Sequence, residues 1–157
     1  LPINAFIPAT WILNREEKLE AYKSVTECSN NNELTELATD WVNRYGTLPK
    51  SVESLIMLMK LKLLAKKCAF SKIKLKKPNI LIETKLKKST FKILRNSLPN
   101  NVQNKFNFDE GELYSLITIR GLGITEIQNQ IDQLMFWFSL FVKEIDNFDK
   151  DHLIKKE

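Results

Sequence analysis

The sequence predicts an α+β fold with three N-terminal helices, then two antiparallel β-hairpins around a short helix, and a long C-terminal core helix. Three observations predict this order. Apolar residues recur at helical spacing through about residue 69, strict alternation of Lys with apolar residues begins at Lys72, and helical spacing returns at Thr125. Strands joined by short turns pair antiparallel, and segregation of helices from strands is typical of the α+β class.

Two amphipathic helices are expected in the first 46 residues. Asn14 is a candidate N-cap with Glu17 at the capping-box spacing. The apolar residues that follow it are Leu19, Tyr22, Val25 and Cys28. The second helix carries a one-sided apolar stripe, formed by Leu34, Leu37, Ala38, Trp41, Val42 and Tyr45. Gly46 supplies the left-handed residue expected to end this helix, and Pro49 opens the next one.

The third helix, at about residues 50–69, is apolar on more than one face. One stripe consists of Val52, Leu55, Ile56 and Met59. The other consists of Leu58, Leu61, Leu64, Ala65 and Cys68. Because a helix with two apolar faces is packed from two sides, we expect it to be central.

Two strand pairs are expected between residues 72 and 119. The alternation over residues 72–76 predicts a half-buried strand with its lysines in solvent, a Pro78-Asn79 turn follows, and residues 80–82 form the partner strand. Ser89 is the candidate cap of a short helix, which bears Phe91, Leu94 and Leu98 and ends near Pro99. The second pair is expected at residues 105–108 and about 113–119, joined by a turn at Gly111.

The last helix is expected to begin at Thr125, with Gln128 as its capping partner. Its apolar positions step by four and three residues, at Ile127, Ile131, Leu134, Phe138, Phe141, Ile145 and Phe148. Such a seam is compatible with a dimeric coiled coil or a groove for a partner. The middle of the helix is also apolar on its other faces, at Met135, Trp137, Leu140 and Val142. This favours a core helix between a sheet and other helices.

The length of 157 residues fits a single domain, expected over residues 1–148 with a polar, frayed tail at 149–157. Because the sequence begins abruptly and without Met, we expect a fragment of a longer chain. No transmembrane segment or signal peptide is expected, since the longest apolar stretch, from Leu134 to Val142, has nine residues. Cys28 and Cys68 lie in helical patterns without a CxxC motif, and we expect reduced packing residues of a cytoplasmic protein.

The sequence offers no constellation of catalytic residues. His152, in the polar tail, is the one histidine, which excludes a histidine-based triad or a histidine-rich metal site. The four glycines form neither a phosphate-binding loop nor a GxGxxG motif. Acidic residues cluster at the second hairpin turn and the C-terminal tail, where they are ordinarily solvated. We therefore expect no catalytic residue, no cofactor and no metal site.

A basic block in the middle of the chain is the second candidate for function. Residues 60–95 carry 13 basic side chains and one acidic one, whereas the flanking segments are both net negative. Such a block is the usual footprint of a nucleic-acid contact. Candidate contact residues are Lys72, Lys74, Lys76 and Lys77. The alternative is a solubilising surface, because 20 of the 24 basic residues are Lys and lysines commonly cover exposed faces.

One segment is more specific than its composition. Residues 40–49, Asp-Trp-Val-Asn-Arg-Tyr-Gly-Thr-Leu-Pro, end one helix and start the next. They follow Phe6-Ile7-Pro8 and a helix from Arg15, and they precede a Leu-Lys-x-x-Ala helix and a hairpin. This order resembles the C-terminal domain of bacterial transcription-repair coupling factor (Mfd) over roughly residues 3–148.

The resemblance implies a regulatory role. In that family the whole protein is an ATP-driven DNA translocase that acts on stalled RNA polymerase and recruits the excision-repair protein UvrA. The C-terminal domain lacks ATPase motifs and contacts the UvrA-binding module, restraining recruitment and translocation. The implied partners are other domains of the same parent protein, with RNA polymerase, UvrA and DNA contacted only indirectly. A monomer without membrane contact is expected.

The resemblance also implies an interaction site. The family pattern at the turn usually reads acidic-x-x-Asp-Arg-Phe-Gly, and its acidic side chains are candidates for ionic contact with a basic partner surface. Asp40 matches the first acid and Arg44 the arginine, while Asn43 stands where Asp is usual and removes one charge. Asp40, Asn43 and Arg44 are therefore candidate interdomain contacts. The alternative is that Asp40 and Arg44 only brace the end of their helix.

Overall fold

The computed structural model describes residues 3–156, with side chains described for residues 3–148. Its backbone contacts divide the chain into two compact units, one ending at Leu63 and the other beginning at Leu64. We call them the N-terminal unit and the C-terminal unit. The helices and strands confirm the predicted α+β class. The tail expected to fray at 149–157 lies outside the residues whose side chains the structure describes.

Two helices and the first part of a third form the N-terminal unit: α1 (Arg15–Glu27), α2 (Asn31–Tyr45) and α3 (Lys50–Lys67). The Asn14 side chain accepts a hydrogen bond from the Glu17 N–H at 3.0 Å, as predicted. Asn30 caps α2 in the same way, accepting from the Glu33 N–H at 2.9 Å. Each cap satisfies an amide that the first turn of a helix leaves without a partner.

Eight buried side chains form the core of the N-terminal unit. They are Ile7, Ile12, Ala21, Val25, Leu34, Trp41, Val52 and Ile56. On α1 the buried positions, Ala21 and Val25, lie four residues apart, whereas Leu19, the first of the apolar residues that recur every three positions, is 57% exposed. A series with a step of three residues drifts around a helix that has 3.6 residues per turn, so it leaves the buried face. Val42 on α2 is likewise exposed.

Gly46 ends α2 as predicted, although not in the left-handed helical conformation. Its N–H donates to the Val42 carbonyl at 2.9 Å, and its backbone angles are φ 89° and ψ −166°. Positive φ combined with extended ψ is open essentially to Gly alone. The chain then reaches Pro49, whose carbonyl accepts hydrogen bonds from the N–H groups of Val52 and Glu53 and starts α3.

A four-stranded antiparallel sheet lies in the C-terminal unit, in the order β1-β2-β4-β3. Its strands are β1 (Phe70–Lys76), β2 (Asn79–Thr84), β3 (Phe106–Asp109) and β4 (Ser115–Ile119). The helices are α4 (Lys88–Asn96), α5 (Asn100–Gln103) and α6 (Ile127–Lys156). The two predicted hairpins thus form one sheet through the pairing of β2 with β4.

One face of this sheet is apolar because the side chains alternate along each strand. Ile73, Ile82, Ile117 and Phe108 lie in one row, and Leu75, Ile80, Ile119 and Phe106 lie in the next. Aromatic rings of α6 pack here, with Phe138 5.0 Å from Phe70 and Trp137 5.2 Å from Phe106 between ring centroids. The middle of the α6 seam, from Ile131 to Phe141, is buried, which confirms a core helix, whereas Phe148 at its far end is 57% exposed.

Several element ends differ from the predictions. The first hairpin turn is Lys77-Pro78, because Asn79 already pairs with Lys76 in the sheet. Ser89 lies inside α4, whose N-cap position is Lys87. Helix α5 was not predicted. Helix α6 begins at Ile127 rather than Thr125, because residues 122–124 form a 3-10 turn whose Leu122 carbonyl accepts from the Thr125 hydroxyl at 2.8 Å.

Candidate interaction surface

The three predicted contact residues lie together near the end of α2 and are all exposed. Asp40 and Arg44 are one helical turn apart and form an ion pair at 3.5 Å, with each side chain 54% exposed. The Arg44 guanidinium also lies 5.0 Å from the centre of the Tyr45 ring. Asn43 lies on the same helix face, one position before the arginine. Exposed ion pairs of this kind contribute only about 0–1 kcal/mol to stability.

Beside these residues, α1 and α2 enclose a cleft of about 390 Å³. We call it the acidic cleft, since Glu16, Glu17, Glu20 and Asp40 line it and Arg44 is its one basic residue. Its remaining lining is Asn14, Ala21, Ser24, Leu37, Trp41 and Tyr45. The cleft therefore combines carboxylates on its walls with an apolar and aromatic surface.

A long-range hydrogen bond ties the two helices at the acidic cleft. The Tyr45 hydroxyl donates to a Glu17 carboxylate oxygen at 3.0 Å across 28 residues of sequence. Desolvation by burial and then this hydrogen bond raise the pKa of Tyr45, which favours the protonated phenol that donates the bond. Glu17 was predicted only as a capping residue. Its N–H does bond to the Asn14 cap, and its side chain in addition links α1 to α2.

Aromatic packing supports the acidic cleft from inside the N-terminal unit. Trp11 lies edge-on to Trp41 at 6.1 Å and tilted against Tyr45 at 5.4 Å between ring centroids. Trp41 is 1% exposed. The rings of Trp11 and Trp41 thus support Tyr45, which in turn bonds to Glu17.

The acidic cleft contains residues that the sequence analysis missed. Glu16 and Glu20 on α1 were not among the candidates, although both line the cleft with Asp40. Their spacing of four residues puts them on one helix face, which is a signal present in the sequence. That this face meets α2 depends on tertiary packing. A cationic side chain with an aliphatic stem has the chemistry that such a cleft accepts.

The predicted lysines occupy a different surface, at the first edge of the sheet. Lys72, Lys74 and Lys76 are exposed on one face of β1, and Lys77 follows in the turn. Lys74 forms an ion pair with Glu83 of β2 at 3.2 Å. Lysines on an edge strand also hinder pairing with a foreign strand. This geometry is compatible with a nucleic-acid contact and also with a solubilising surface, the two interpretations of the basic block.

Among the described residues, no three His, Cys, Asp or Glu side chains are placed to hold a metal ion. Burial raises the pKa of the Cys68 thiol to about 12, and its Sγ lies 3.8 Å from the Phe138 carbonyl oxygen. Both cysteines are free thiols. In the same part of the chain, no helix has the length and apolar character needed to cross a membrane.

The N-terminal part of the chain matches a known protein family. The model of the TRCF domain matches residues 1–93, a range that includes the acidic cleft and strands β1 and β2. The sequence is 32% identical over 82 residues, 52% of this chain, to the transcription-repair-coupling factor of Borreliella burgdorferi. It is 35% identical over 63 residues, 40% of this chain, to that of Myxococcus xanthus. These stretches cover 7% and 5% of the two relatives.

A solved structure matches the whole fold. The crystal structure of the C-terminal domain of a transcription-repair coupling factor superposes with a TM-score of 0.77. The match covers 94% of this chain and 92% of that structure, at 18% sequence identity. At this identity the similarity concerns the fold, and it extends through the strands and the last helix that the family model does not reach.

Proposed function

Because the chain belongs to the TRCF domain family, we propose that it is a non-catalytic regulatory domain of a transcription-repair coupling factor, acting through contact with another domain of its parent protein. The observation that carries the proposal is the acidic cleft between α1 and α2, which lies in the segment matched by the family model. A cleft lined with four carboxylates suits the binding of a basic surface.

The partner surface in this proposal is basic. An Arg or Lys of the partner inserts its aliphatic stem against Leu37 and Tyr45, which are both half-buried. It places its charge among the carboxylates of Glu16, Glu20 and Asp40. Arg44, the one basic residue of the lining, forms an ion pair with Asp40 that is weak enough to open on docking. Charge complementarity of this kind mainly sets specificity and association rate.

The proposed partner is the UvrA-binding module of the same parent protein. Occupation of that module by the acidic cleft restrains UvrA recruitment and DNA translocation until RNA polymerase is engaged. The ATP-driven translocase belongs to other parts of the parent. The same proposal includes a single regulatory domain at residues 1–148, a cytoplasmic location, a monomeric state and the absence of a cofactor.

Asn43 makes this contact weaker than a second acid would. The neutral amide leaves Asp40 as the acid of α2 in the cleft, with the other carboxylates supplied by α1. We therefore propose that Glu16 and Glu20 carry part of the ionic contact. Replacement Asn43→Asp is expected to strengthen partner binding, since it adds a carboxylate on the same exposed face.

A titration of the chain against the remainder of its parent protein tests the proposal. We expect binding that weakens with salt, because the Debye length falls from about 10 Å at 0.1 M to about 3 Å at 1 M ionic strength. Asp40→Lys should weaken binding by about tenfold, equivalent to 1.4 kcal/mol. Isothermal titration calorimetry at two salt concentrations measures both effects.

Glu112→Lys is the matched control for that titration. It makes the same charge change at an exposed residue of the β3–β4 hairpin, outside the acidic cleft. Binding should be unchanged. Absence of binding by the unmodified chain at any salt concentration contradicts the proposal, and an equal loss in both variants reduces it to an effect of net charge.

The lysines of β1 support a second candidate function, a nucleic-acid binding module. The favouring observation is that Lys72, Lys74 and Lys76 share one exposed face. Counterion release then predicts affinity that falls steeply with salt. A filter-binding titration at low salt with duplex and single-stranded DNA decides this candidate, and a lack of retention rejects it.

A further inference from the structure

A second cleft, of about 420 Å³, lies in the C-terminal unit between α4 and β3. We call it the basic cleft. Its lining residues are Lys88, Phe91, Lys92, Arg95, Asn107, Phe108 and Asp109. Neither the proposed docking of the acidic cleft nor the lysines of β1 involves these residues.

The positive charge of the basic cleft comes from one stripe of α4. Lys88, Lys92 and Arg95 are spaced by four and three residues, so they lie on the same side of the helix. Residues 84–108 contain six basic side chains and no acidic one. Lys88 and Lys92 are exposed, and within the described part of the chain neither forms an ion pair.

Aromatic packing makes the basic cleft rigid. Phe91 of α4 and Phe108 of β3 stack with ring centroids 5.0 Å apart and planes inclined by 25°. The Arg95 guanidinium lies 5.5 Å from the centre of the Phe91 ring and donates to the Phe106 carbonyl at 3.4 Å. Arg95 is thus held by the protein, whereas the two lysines are available to a ligand.

The β3 wall of the basic cleft is a strand edge. Among the described strands, β3 pairs only with β4 and ends the sheet. The Lys105 carbonyl accepts from the Arg120 N–H at 2.9 Å, and the bonding direction alternates along an antiparallel strand. The backbone polar groups of Phe106 and Phe108 therefore point away from β4, consistent with the bond from Arg95 to Phe106.

From this combination we infer that the basic cleft binds an extended acidic segment of a protein partner, which adds as a strand beside β3. Strand addition uses the backbone N–H and C=O of Phe108, and side chains of the added strand alternate in direction. Alternate acidic residues then lie about 6.7 Å apart along one side. Residues one turn apart on a helix, such as Lys88 and Lys92, have Cβ atoms about 5–6 Å apart, which is a close match.

The geometry favours an acidic peptide over nucleic acid. Asp109 lies in the lining and repels phosphate, whereas an extended peptide can place a backbone N–H or an apolar side chain beside it. The one arginine is already bonded to the protein.

Fluorescence polarisation with the full chain and a labelled short peptide of alternating Glu and Val tests the inference. We expect binding at low salt that is at least tenfold weaker for the Lys88→Glu/Lys92→Glu variant. It should be unchanged for Lys62→Glu/Lys66→Glu, an equal charge change at two exposed lysines one turn apart on α3. An acidic residue at position 88 lies in the first turn of α4 and favours the helix, so loss of binding is not loss of folding.

Two further probes separate the alternatives. The same peptide methylated on alternate backbone nitrogens should bind at least tenfold more weakly, because it cannot pair as a strand. Failure of the unmethylated peptide to bind, or equal binding by the Lys88→Glu/Lys92→Glu variant, overturns the inference. Binding of duplex DNA that depends on Lys88 and Lys92, without peptide binding, overturns it in favour of a nucleic-acid surface.

Discussion

The acidic cleft of the N-terminal unit and the basic cleft of the C-terminal unit are built with the same local device. In each, a helix places an arginine over an aromatic ring, Arg44 at 5.0 Å from Tyr45 and Arg95 at 5.5 Å from Phe91. The surroundings differ. Arg44 is exposed and pairs with a carboxylate, whereas Arg95 is half-buried and bonded to a backbone carbonyl. The sign of each cleft is therefore set by its neighbours and not by its arginine.

This difference shows why the net charge of +5 says little about partners. The excess of lysines is spread over several elements, and the chain still presents a cleft lined by four carboxylates. A partner meets one surface at a time, so the local charge within a Debye length governs association. Charge pattern and packing together, rather than composition, distinguish the two clefts.

The largest expected effect comes from removing the aromatic side chain beneath each cleft. Trp41→Ala and Phe91→Ala each delete a buried ring and should cost about 3–5 kcal/mol of unfolding free energy. The proposed single domain over residues 1–148 predicts that both variants lower the same transition. Thermal unfolding followed by circular dichroism measures it.

Two separate transitions, each lowered by only one of these variants, contradict the single domain. The N-terminal and C-terminal units would then unfold independently of each other. Thr39→Ala, at an exposed position of α2, is the control and should leave the transition within about 0.5 kcal/mol.

A smaller effect is expected at the end of α2. Gly46→Ala forces a side chain into positive φ with extended ψ, which should cost about 1–3 kcal/mol, although the added Cβ meets no atom within 4 Å. Chemical denaturation measures the loss. The acidic cleft should lose partner affinity while the basic cleft keeps its affinity for the Glu-Val peptide.

The neighbouring replacement Thr47→Ala is the control. It tests whether the loss of stability in Gly46→Ala comes from the backbone conformation at Gly46 and not from any change of residue in this turn. It changes an exposed residue that has no positive φ, so little change is expected. If Gly46→Ala is as stable as the unmodified chain, the conformation at Gly46 is not what orients the end of α2.

The smallest expected effect concerns the cysteines, one in each unit. Burial raises the pKa of Cys68 to about 12, so near pH 8 its thiol is protonated as well as inaccessible. Burial and then the charges of Glu33 and Glu27 raise the pKa of Cys28, which is only half-buried. Because the thiolate is the reactive form, Cys28 should react slowly and faster as pH rises. Cys68 should stay unmodified until the protein unfolds.

Timed reaction with a chromogenic disulfide reagent reports both thiols. Cys28→Ser should remove the reaction of the folded protein. If the Cys28→Ser variant reacts at the same rate as the unmodified protein, Cys68 is accessible to the reagent. That result would contradict the packing of Cys68 against Phe138.

The sequence predicted elements better than it predicted surfaces. The one-sided stripe of α2 and the lysine alternation of β1 each follow from a local period, and both elements formed as expected. The sequence did not predict that Leu19 is exposed, because the apolar residues of α1 are compatible with more than one buried helix face. It also did not predict the exact turn at Lys77-Pro78, because adjacent turn-forming residues allow more than one strand register.

The clefts depend on contacts between residues far apart in sequence. Tyr45 and Glu17 meet across 28 residues, and nothing in the spacing of either helix specifies that contact. The free edge of β3 follows from the pairing of β2 with β4, whereas the two hairpin patterns alone allow either strand to lie at an edge. Helical spacing of Lys88, Lys92 and Arg95 was visible, but the strand beside them was not.

Recruitment of UvrA by the intact parent protein tests the central claim most directly, namely that the acidic cleft occupies a basic surface of another domain. UvrA binding should be measured for the parent with and without Asp40→Lys at the corresponding position, alongside Glu112→Lys. The proposal predicts stronger UvrA binding for Asp40→Lys alone, because the restraint is weakened. Unchanged UvrA binding in both variants would contradict it.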